Sequence, residues 1–366
     1  MPFDQGTISF RICRLPEPMP KDSVERFAQF AAQGLDQVQD EPMWGWVSPR
    51  HLLDCNITED TVKVAGYYHL CLRQAERKIP ASLLTAECRM VELTRMAEKD
   101  VDHLNKKERK TIKDEVHARL LPEMPPQLSG IYFAVDPNEN LLYTTATSAH
   151  QMDLFLGFFT KAIGFEPIPL SPESAAAALF ELDPAAVPNL SLSPEDNSAE
   201  PSGTLGQNFL TWLWQYQEER NGELPSSKLG DFSLFIDGPL TLVAEGSGAF
   251  ETSIRKGIPT HAAEAKASLL VGKKLKRAKL VFARAQGEEW SCTLDADDFS
   301  FKGLKLPEGE ALDPASIFEE RMTNLFIFQS VFFALYQKFL AEMTDDEKQH
   351  QYLERAKAWI KDREAR

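Results

Sequence analysis

Residues 105–125 read NKKERKTIKDEVHARLLPEMP, with six basic residues among the first fifteen positions and prolines at 122, 125 and 126 closing the run. Neither Gly nor Pro interrupts the chain from 81 to 121. That length predicts a projecting helix, or two helices meeting near 102–107, and the prolines mark its end. Upstream, TISFRICR (7–14) alternates like a half-buried strand and DSVERFAQFAAQG (22–34) reads as an amphipathic helix from an Asp/Ser cap to Gly34. A second strand is expected over 61–73, TVKVAGYYHLCLR, before Ile79-Pro80 leads into the helical stretch. Downstream, GIYFAVDPNENLLYTTA (130–146) carries a hairpin signal, and MDLFLGFFTKAI (152–163) a buried helix. The class is α+β, with mixed sheets and a long projecting helical segment.

The rest of the chain divides by composition. Residues 171–206 are dominated by Pro, Ser, Ala and acidic residues, six of them acidic and none basic, and are expected to form a linker or insertion with a short helix at 174–182. A second α+β part follows over 207–343, opening on an aromatic helix with Trp212 and Trp214 and closing on an apolar helix over 316–343. The expected organisation is therefore 1–170 with the projection at 81–126, the linker, 207–343, and a charged helix over 344–366. The uncharged run 322–337, between Arg321 and Lys338, is too short for a membrane span and carries Asn324 and Gln329, so a buried helix is expected. The N-terminal MPFDQGTISFRICRL lacks the pattern of a secretory signal. Five cysteines, Cys13, Cys55, Cys71, Cys88 and Cys292, are scattered and odd in number, which favours a reducing compartment over a disulfide framework or zinc site.

Charge is unevenly spread. The formal net charge is −15 over 366 residues, which argues against an unselective basic coat for nucleic acid. A local basic site remains open, because screening acts over roughly 8 Å at physiological salt. The 81–126 segment holds nine basic and nine acidic residues, with Lys106, Lys107, Arg109, Lys110 and Lys113 bunched together. Between 251 and 290 stand nine basic residues, among them Arg255, Lys256, Lys273, Lys274, Lys276 and Arg277, against four acidic ones. For the helix, the plain reading is a solvated face with pairs such as Lys110 to Asp114. For GKKLKRAKL, it is a strand edge guarded by lysines. The functional reading of both is phosphate contact without base reading, since helix-turn-helix, zinc-finger and RRM signatures are absent.

Catalysis has weaker support. A metal-dependent nuclease would need convergent carboxylates, and Asp295, Asp297 and Asp298, or Asp114 with Glu115, are the candidates. D-A-D-D between two strands reads as a turn, and adjacent helical carboxylates point about 100° apart. The seven histidines show no paired ligand spacing, no nucleotide-binding glycine loop stands in the chain, and EGSGAFE reads as a turn. No cofactor or metal is expected, and no enzyme activity.

The order WGWVSP (44–49), KIP (78–80), K-K-x-E-R-K-x-I-K-D-E-V with L-L-P (106–122) and IPLS (168–171) resembles the RdgC family of recombination-associated proteins. The resemblance implies a cytoplasmic, nucleoid-associated homodimer that closes into a ring around double-stranded DNA. It would bind without sequence preference and restrain the RecA recombinase, with no membrane involved. It places Arg255 and Lys256 on a basic loop near the DNA path, and adds a second role in subunit contact for the apolar helix over 316–343. Family members follow L-L-P with a basic and an aromatic residue at the tip of the projection, where this chain has Glu123, Met124 and Pro125. Residues 172–205 and 345–366 look like additions to the family pattern. Lys-to-Glu changes at Lys273, Lys274, Lys276 and Arg277 are expected to weaken binding to all sequences alike. The competing class outside catalysis is a protein-interaction module that has lost DNA binding.

Overall fold

The computed structural model describes residues 2–190, 192, 203–244, 251–285 and 287–361. In chain order the elements are β1 (Ile8–Arg14), α1 (Ser23–Gln29), β2 (Met43–Val47), α2 (Glu59–Val62), β3 (Lys63–Val64), β4 (Tyr67–Arg77), α3 (Ala81–Lys99), α4 (Lys106–Leu120), β5 (Pro126–Asp136), β6 (Leu141–Thr144) and α5 (Ala149–Ile163). There follow β7 (Ile168–Pro169), α6 (Pro172–Phe180), α7 (Leu205–Glu219), β8 (Phe232–Val243), β9 (Thr252–Ile254), α8 (Ala263–Leu270), β10 (Lys274–Arg284), β11 (Glu289–Asp295), β12 (Ser300–Lys305), α9 (Pro314–Met343) and α10 (Asp346–Lys361). The α+β class expected from the sequence is borne out.

Local chemistry sets most boundaries. Ser148 accepts from the Gln151 N–H at 3.3 Å to start α5, which stops at Gly164, where φ is 105°. Thr204 accepts from the Gln207 N–H at 3.2 Å to start α7. The strand expected over 61–73 is broken: Thr58 and Thr61 cap a short helix, and Ala65-Gly66 turn the chain at φ 49° and 85° before β4 begins. Strand β8 runs unbroken from Phe232 to Val243 through the Gly238-Pro239 step.

The chain forms two compact units. The larger comprises Met1–Met19, Val64–Tyr68 and Phe133–Arg366, and the smaller Pro20–Lys63 and His69–Tyr132. This is not the linear division expected from composition. The reason is β1, which pairs antiparallel with β6 (Ile12 opposite Tyr143) and with β12 (Phe10 opposite Phe301), so the N-terminal strand is built into the C-terminal sheet. In the larger unit the order is β5-β6-β1-β12-β11-β10-β8-β9, with β7 beside β1. Helix α9 packs its aromatic face here: Phe332 meets Phe301 edge-on at 4.9 Å, and Tyr336 meets Phe209 of α7 at 5.0 Å. Each such fully buried side chain contributes roughly 1.5–3 kcal/mol. The core role of the apolar helix is thus visible, with Asn324 and Gln329 buried on it. Among the described residues no helix is long and apolar enough to cross a membrane.

The segment read as a linker is partly structured. Ser171 caps α6 by accepting from the Ser174 N–H at 3.2 Å, and Ala175 and Ala176 are fully buried. Residues 193–202 of that expectation, and the turn assigned to EGSGAFE at 245–250, lie outside the described residues. The C-terminal segment is a packed helix, with Tyr352, Ala356 and Ile360 buried along α10.

In the smaller unit the strand order is β2-β4-β5. Phe27 of α1 sits edge-on to Trp46 of β2 at 5.0 Å, and the buried Arg73 guanidinium donates to the carbonyls of Gln33 at 2.5 Å and Leu52 at 3.3 Å. From β4 the chain runs into α3 and α4, the helical segment on which the functional reading turns.

Candidate nucleic-acid interface

The uninterrupted stretch 81–121 is two helices. Asp100 takes the left-handed conformation at φ 52° and ends α3. Asn105 then accepts from the Glu108 N–H at 2.9 Å, while Glu108 accepts from the Asn105 N–H at 3.0 Å. This reciprocal cap satisfies two donors that the first turn would leave open. Along α4, Ile112, Val116 and Leu120 are buried with Leu104, against Leu83, Leu84, Cys88 and Val91 of α3. The two helices therefore form an antiparallel hairpin with an apolar seam.

Ion pairs line that seam. Lys99 of α3 pairs with Glu108, Arg95 of α3 with Glu115, and Arg119 with Glu87 of α3 at 2.6 Å. The Lys99 ammonium and the Asn105 N–H hold the Glu108 carboxyl below its usual range. The consequence is electrostatic: two of the three acids on α4 are neutralised by cations of α3. Lys106, Lys107, Arg109, Lys110 and Lys113 are all exposed, and none forms an ion pair among the described residues. The Lys110 to Asp114 pair expected from spacing is not formed. At about 100° per residue, Lys106, Arg109, Lys110 and Lys113 fall within about 100° of the helix circumference. The hairpin thus presents a cationic face opposed by Asp114 alone on that helix.

Glu123, Met124 and Pro125 are not at the tip of this projection. Arg77, at the end of β4, donates to the carbonyl of Pro122 at 3.0 Å and to that of Met124. The L-L-P turn is therefore at the root of the hairpin, beside the entry to α3, and 100–105 form its far end. The altered residues leave the cationic face untouched.

The second basic cluster lies in the larger unit and is arranged differently. Arg277 stands opposite Asp295 across the β10–β11 pair and bonds it at 2.6 Å. Lys276 pairs with Asp297 at 2.5 Å. Hydrogen bonding to these carboxylates raises the pKa of both cations. Lys274 is 6% exposed, its ammonium 2.5 Å from Asn189 Oδ1, and Lys273 donates to Thr252 Oγ1 at 2.5 Å. Arg255 and Lys256 are exposed after β9, Arg255 donating to Ser253 Oγ at 3.1 Å and Lys256 in left-handed backbone at φ 76°. Of the sequence-selected residues in this unit, only these two are exposed.

The same pairs answer the carboxylate question. Asp295 also meets Lys302 at 3.7 Å, Asp298 meets Arg11 at 3.7 Å, and Asp297 accepts from Gln207 Nε2 at 2.8 Å and Thr204 Oγ1 at 3.1 Å. Burial would raise the Asp297 pKa, but Lys276 and Gln207 bring it below the usual range. The D-A-D-D turn is a charge-balanced clasp. Among the described residues no group of three or more His, Cys, Asp or Glu is placed to hold a metal ion. Glu115 is engaged by Arg95.

The hairpin and the strands flanking it lie within the portion of the chain that known proteins share. Residues 9–180 match the family described as "Putative exonuclease, RdgC". The resemblance to RdgC is thereby borne out. Over 130 residues the chain is 28% identical to the Recombination-associated protein RdgC of Aeromonas hydrophila, covering 36% of this chain and 42% of that protein. The protein of the same name from Tolumonas auensis is 27% identical over 147 residues, covering 40% and 47%. That of Pseudoalteromonas atlantica is 27% identical over 172 residues, covering 46% and 55%. The matched region spans about half the length of these relatives. Within the RdgC match lie α3 and α4; Arg255, Lys256 and everything beyond α6 lie outside it.

Sequence reasoning missed Arg77, which a lone arginine at a strand end does not advertise. It also missed that Asp295 and Asp297 neutralise the β10 cations. Counting back from the β10–β11 turn would have put Arg277 across from Asp295.

Proposed function

We propose that this chain is a recombination-associated protein of the RdgC type that binds double-stranded DNA through phosphates, without reading sequence and without cutting. The observation that carries this is α4, where five exposed cations are opposed by Asp114 alone because Glu108 and Glu115 pair with Lys99 and Arg95 of α3. Each cation that replaces a condensed counterion on the duplex gains affinity that falls with salt. Arg255 and Lys256 are the further contacts in the larger unit. In this reading two copies pair to enclose the duplex, and the bound ring obstructs a RecA filament and resides with the nucleoid in the cytoplasm.

The description of the matching family as a putative exonuclease favours a second reading. The carboxylates available for it in the D-A-D-D turn are each engaged by a cation, which leaves that chemistry without an evident metal cradle among the described residues. One experiment separates the readings. A labelled duplex is mixed with protein in chelator and then in Mg²⁺, with binding followed by mobility shift and cutting by denaturing gel. Retarded, intact DNA in both conditions, with retardation weakened by combined Lys106→Ala, Lys110→Ala and Lys113→Ala, supports the proposal. Mg²⁺-dependent shortening of the duplex would establish the exonuclease instead.

A further inference from the structure

Between β9 and the short turn at Pro259–His261 the chain makes a brief excursion, R-K-G-I at 255–258, in the portion outside the RdgC match. Both of its roots are fixed. Ile254 is paired with Leu240 of β8, and the Ile258 carbonyl accepts from the His261 N–H at 3.0 Å. Pro259 and Thr260 are buried, with the Pro259 ring so close over Gly238 that a Cβ there would lie 2.3 Å from its Cγ. The apex is open: a Cβ on Gly257 would meet no atom within 4 Å.

The backbone turns through two consecutive left-handed residues, Lys256 at φ 76° and Gly257 at φ 68°. Gly257 takes that conformation freely, whereas a lysine is strained there by roughly 1–2 kcal/mol. At this apex Ile258 is 64% exposed, beside Arg255 and Lys256, both exposed and neither in an ion pair among the described residues. Single exposed aliphatics are ordinary on a protein surface, and Leu312 and Val271 are more exposed still. Ile258 differs from both in its surroundings. Leu312 stands in the chain between Glu310 and Asp313, and the cation that follows Val271, Lys273, is occupied with Thr252.

An apolar side chain on a rooted tip, next to unanswered cations, matches the minor-groove wedge, which enters between two base steps while its neighbours hold phosphates. Resting on the duplex-binding reading above, we propose that Ile258 is such a wedge, with Arg255 and Lys256 on the flanking phosphates. The favoured ligand is then duplex weakened at a base step. Opening a paired step costs a few kcal/mol, and less where the bases are mismatched. That preference is for a physical weakness rather than a base sequence, so it is compatible with binding that reads no sequence. An anionic membrane surface would attract the same cations but has no stacked step to open.

Two duplexes of one sequence, one fully paired and one with a single central mismatch, test this when titrated with the full chain by fluorescence anisotropy at low salt. A 2-aminopurine at the central step of the paired duplex reports unstacking. The parent is expected to bind the mismatched duplex about five-fold more tightly and to raise the 2-aminopurine emission. Ile258→Ser, at an exposed position and checked by unfolding curves, lowers the preference to about two-fold or less and removes the emission change. The decline of affinity with salt, which phosphate contacts set, stays as in the parent. Combined Arg255→Ala and Lys256→Ala weakens both duplexes and makes that decline shallower. No duplex binding at low salt would overturn the duplex reading and the wedge together. Equal affinity for the two duplexes, or a preference that Ile258→Ser leaves intact, would overturn the wedge and leave duplex binding standing. So would sedimentation of the parent, but not of Ile258→Ser, with phosphatidylserine vesicles alongside an unchanged 2-aminopurine signal, which would assign the loop to a membrane.

Discussion

Asp297 shows how a single side chain alters the meaning of a basic run. Its carboxylate holds Lys276 at 2.5 Å and accepts from Gln207 and Thr204, so the lysine is a partner in a clasp before it is available to a ligand. Asp297→Asn is predicted to destabilise the larger unit by about 1–3 kcal/mol at pH 7 by leaving that ammonium unanswered, as read from urea unfolding. The folded-state pKa of Asp297 lies below its ordinary value of 3.8. Its stabilisation is therefore present above pH 3.8 and lost as pH falls through the lower folded value, and parent and variant should converge in that acid range. Lys276 is shifted upward from 10.5, so its share persists to pH 10.5 and is lost above it. Run-counting could not show this, because Asp295 and Asp297 lie some twenty residues further along and meet the cations only through the β10–β11 register. The cysteines behave as isolated thiols: burial pushes Cys13 up to about 12 and raises Cys71 and Cys292. Iodoacetamide at pH 8 is expected to alkylate the exposed Cys55 first and to spare these three until the chain unfolds.

The α3–α4 hairpin is the element whose reading came closest from sequence alone. N-K-K-E is a capping box written in the chain, and the proline-rich close marked its end. What remained open, one helix or two, was decided by Asp100 adopting a left-handed turn, a conformation that an Asp tolerates but its neighbours do not signal. Asn105→Ala should cost about 1 kcal/mol and Ile112→Ala about 2–5 kcal/mol. Hydrogen exchange should show both losses concentrated in 81–120, with the amides of α9 unaffected. If protection falls equally in α9, the hairpin is not a locally cooperative element. The start of β4 was less legible. Ala65 takes positive φ without being a residue type that announces it, so the polar-apolar alternation seemed to continue through the turn.

For the whole molecule, the net charge of −15 and the duplex-binding proposal are compatible only if the cations that matter are local and unneutralised. The hairpin satisfies that condition because its internal ion pairs use two of the three acids of α4, Glu108 and Glu115. The run at 273–277 does not, because Lys276 and Arg277 are answered by Asp297 and Asp295, while Lys273 and Lys274 donate to Thr252 and Asn189. The two compact units depart from the linear order expected from composition for a related reason: β1 pairs with β12 nearly three hundred residues away, a partnership that no local pattern encodes.

The most direct test of the phosphate-binding account is the salt dependence of duplex affinity, measured by fluorescence anisotropy for the parent and for combined Lys106→Ala, Lys110→Ala and Lys113→Ala. With a slope of about −0.9 per neutralised phosphate, the account predicts a steep decline for the parent. It predicts a slope shallower by up to about 2.7 in the variant, the same on unrelated duplex sequences. An unchanged slope in the variant, or no duplex binding by the parent at low salt, would contradict it.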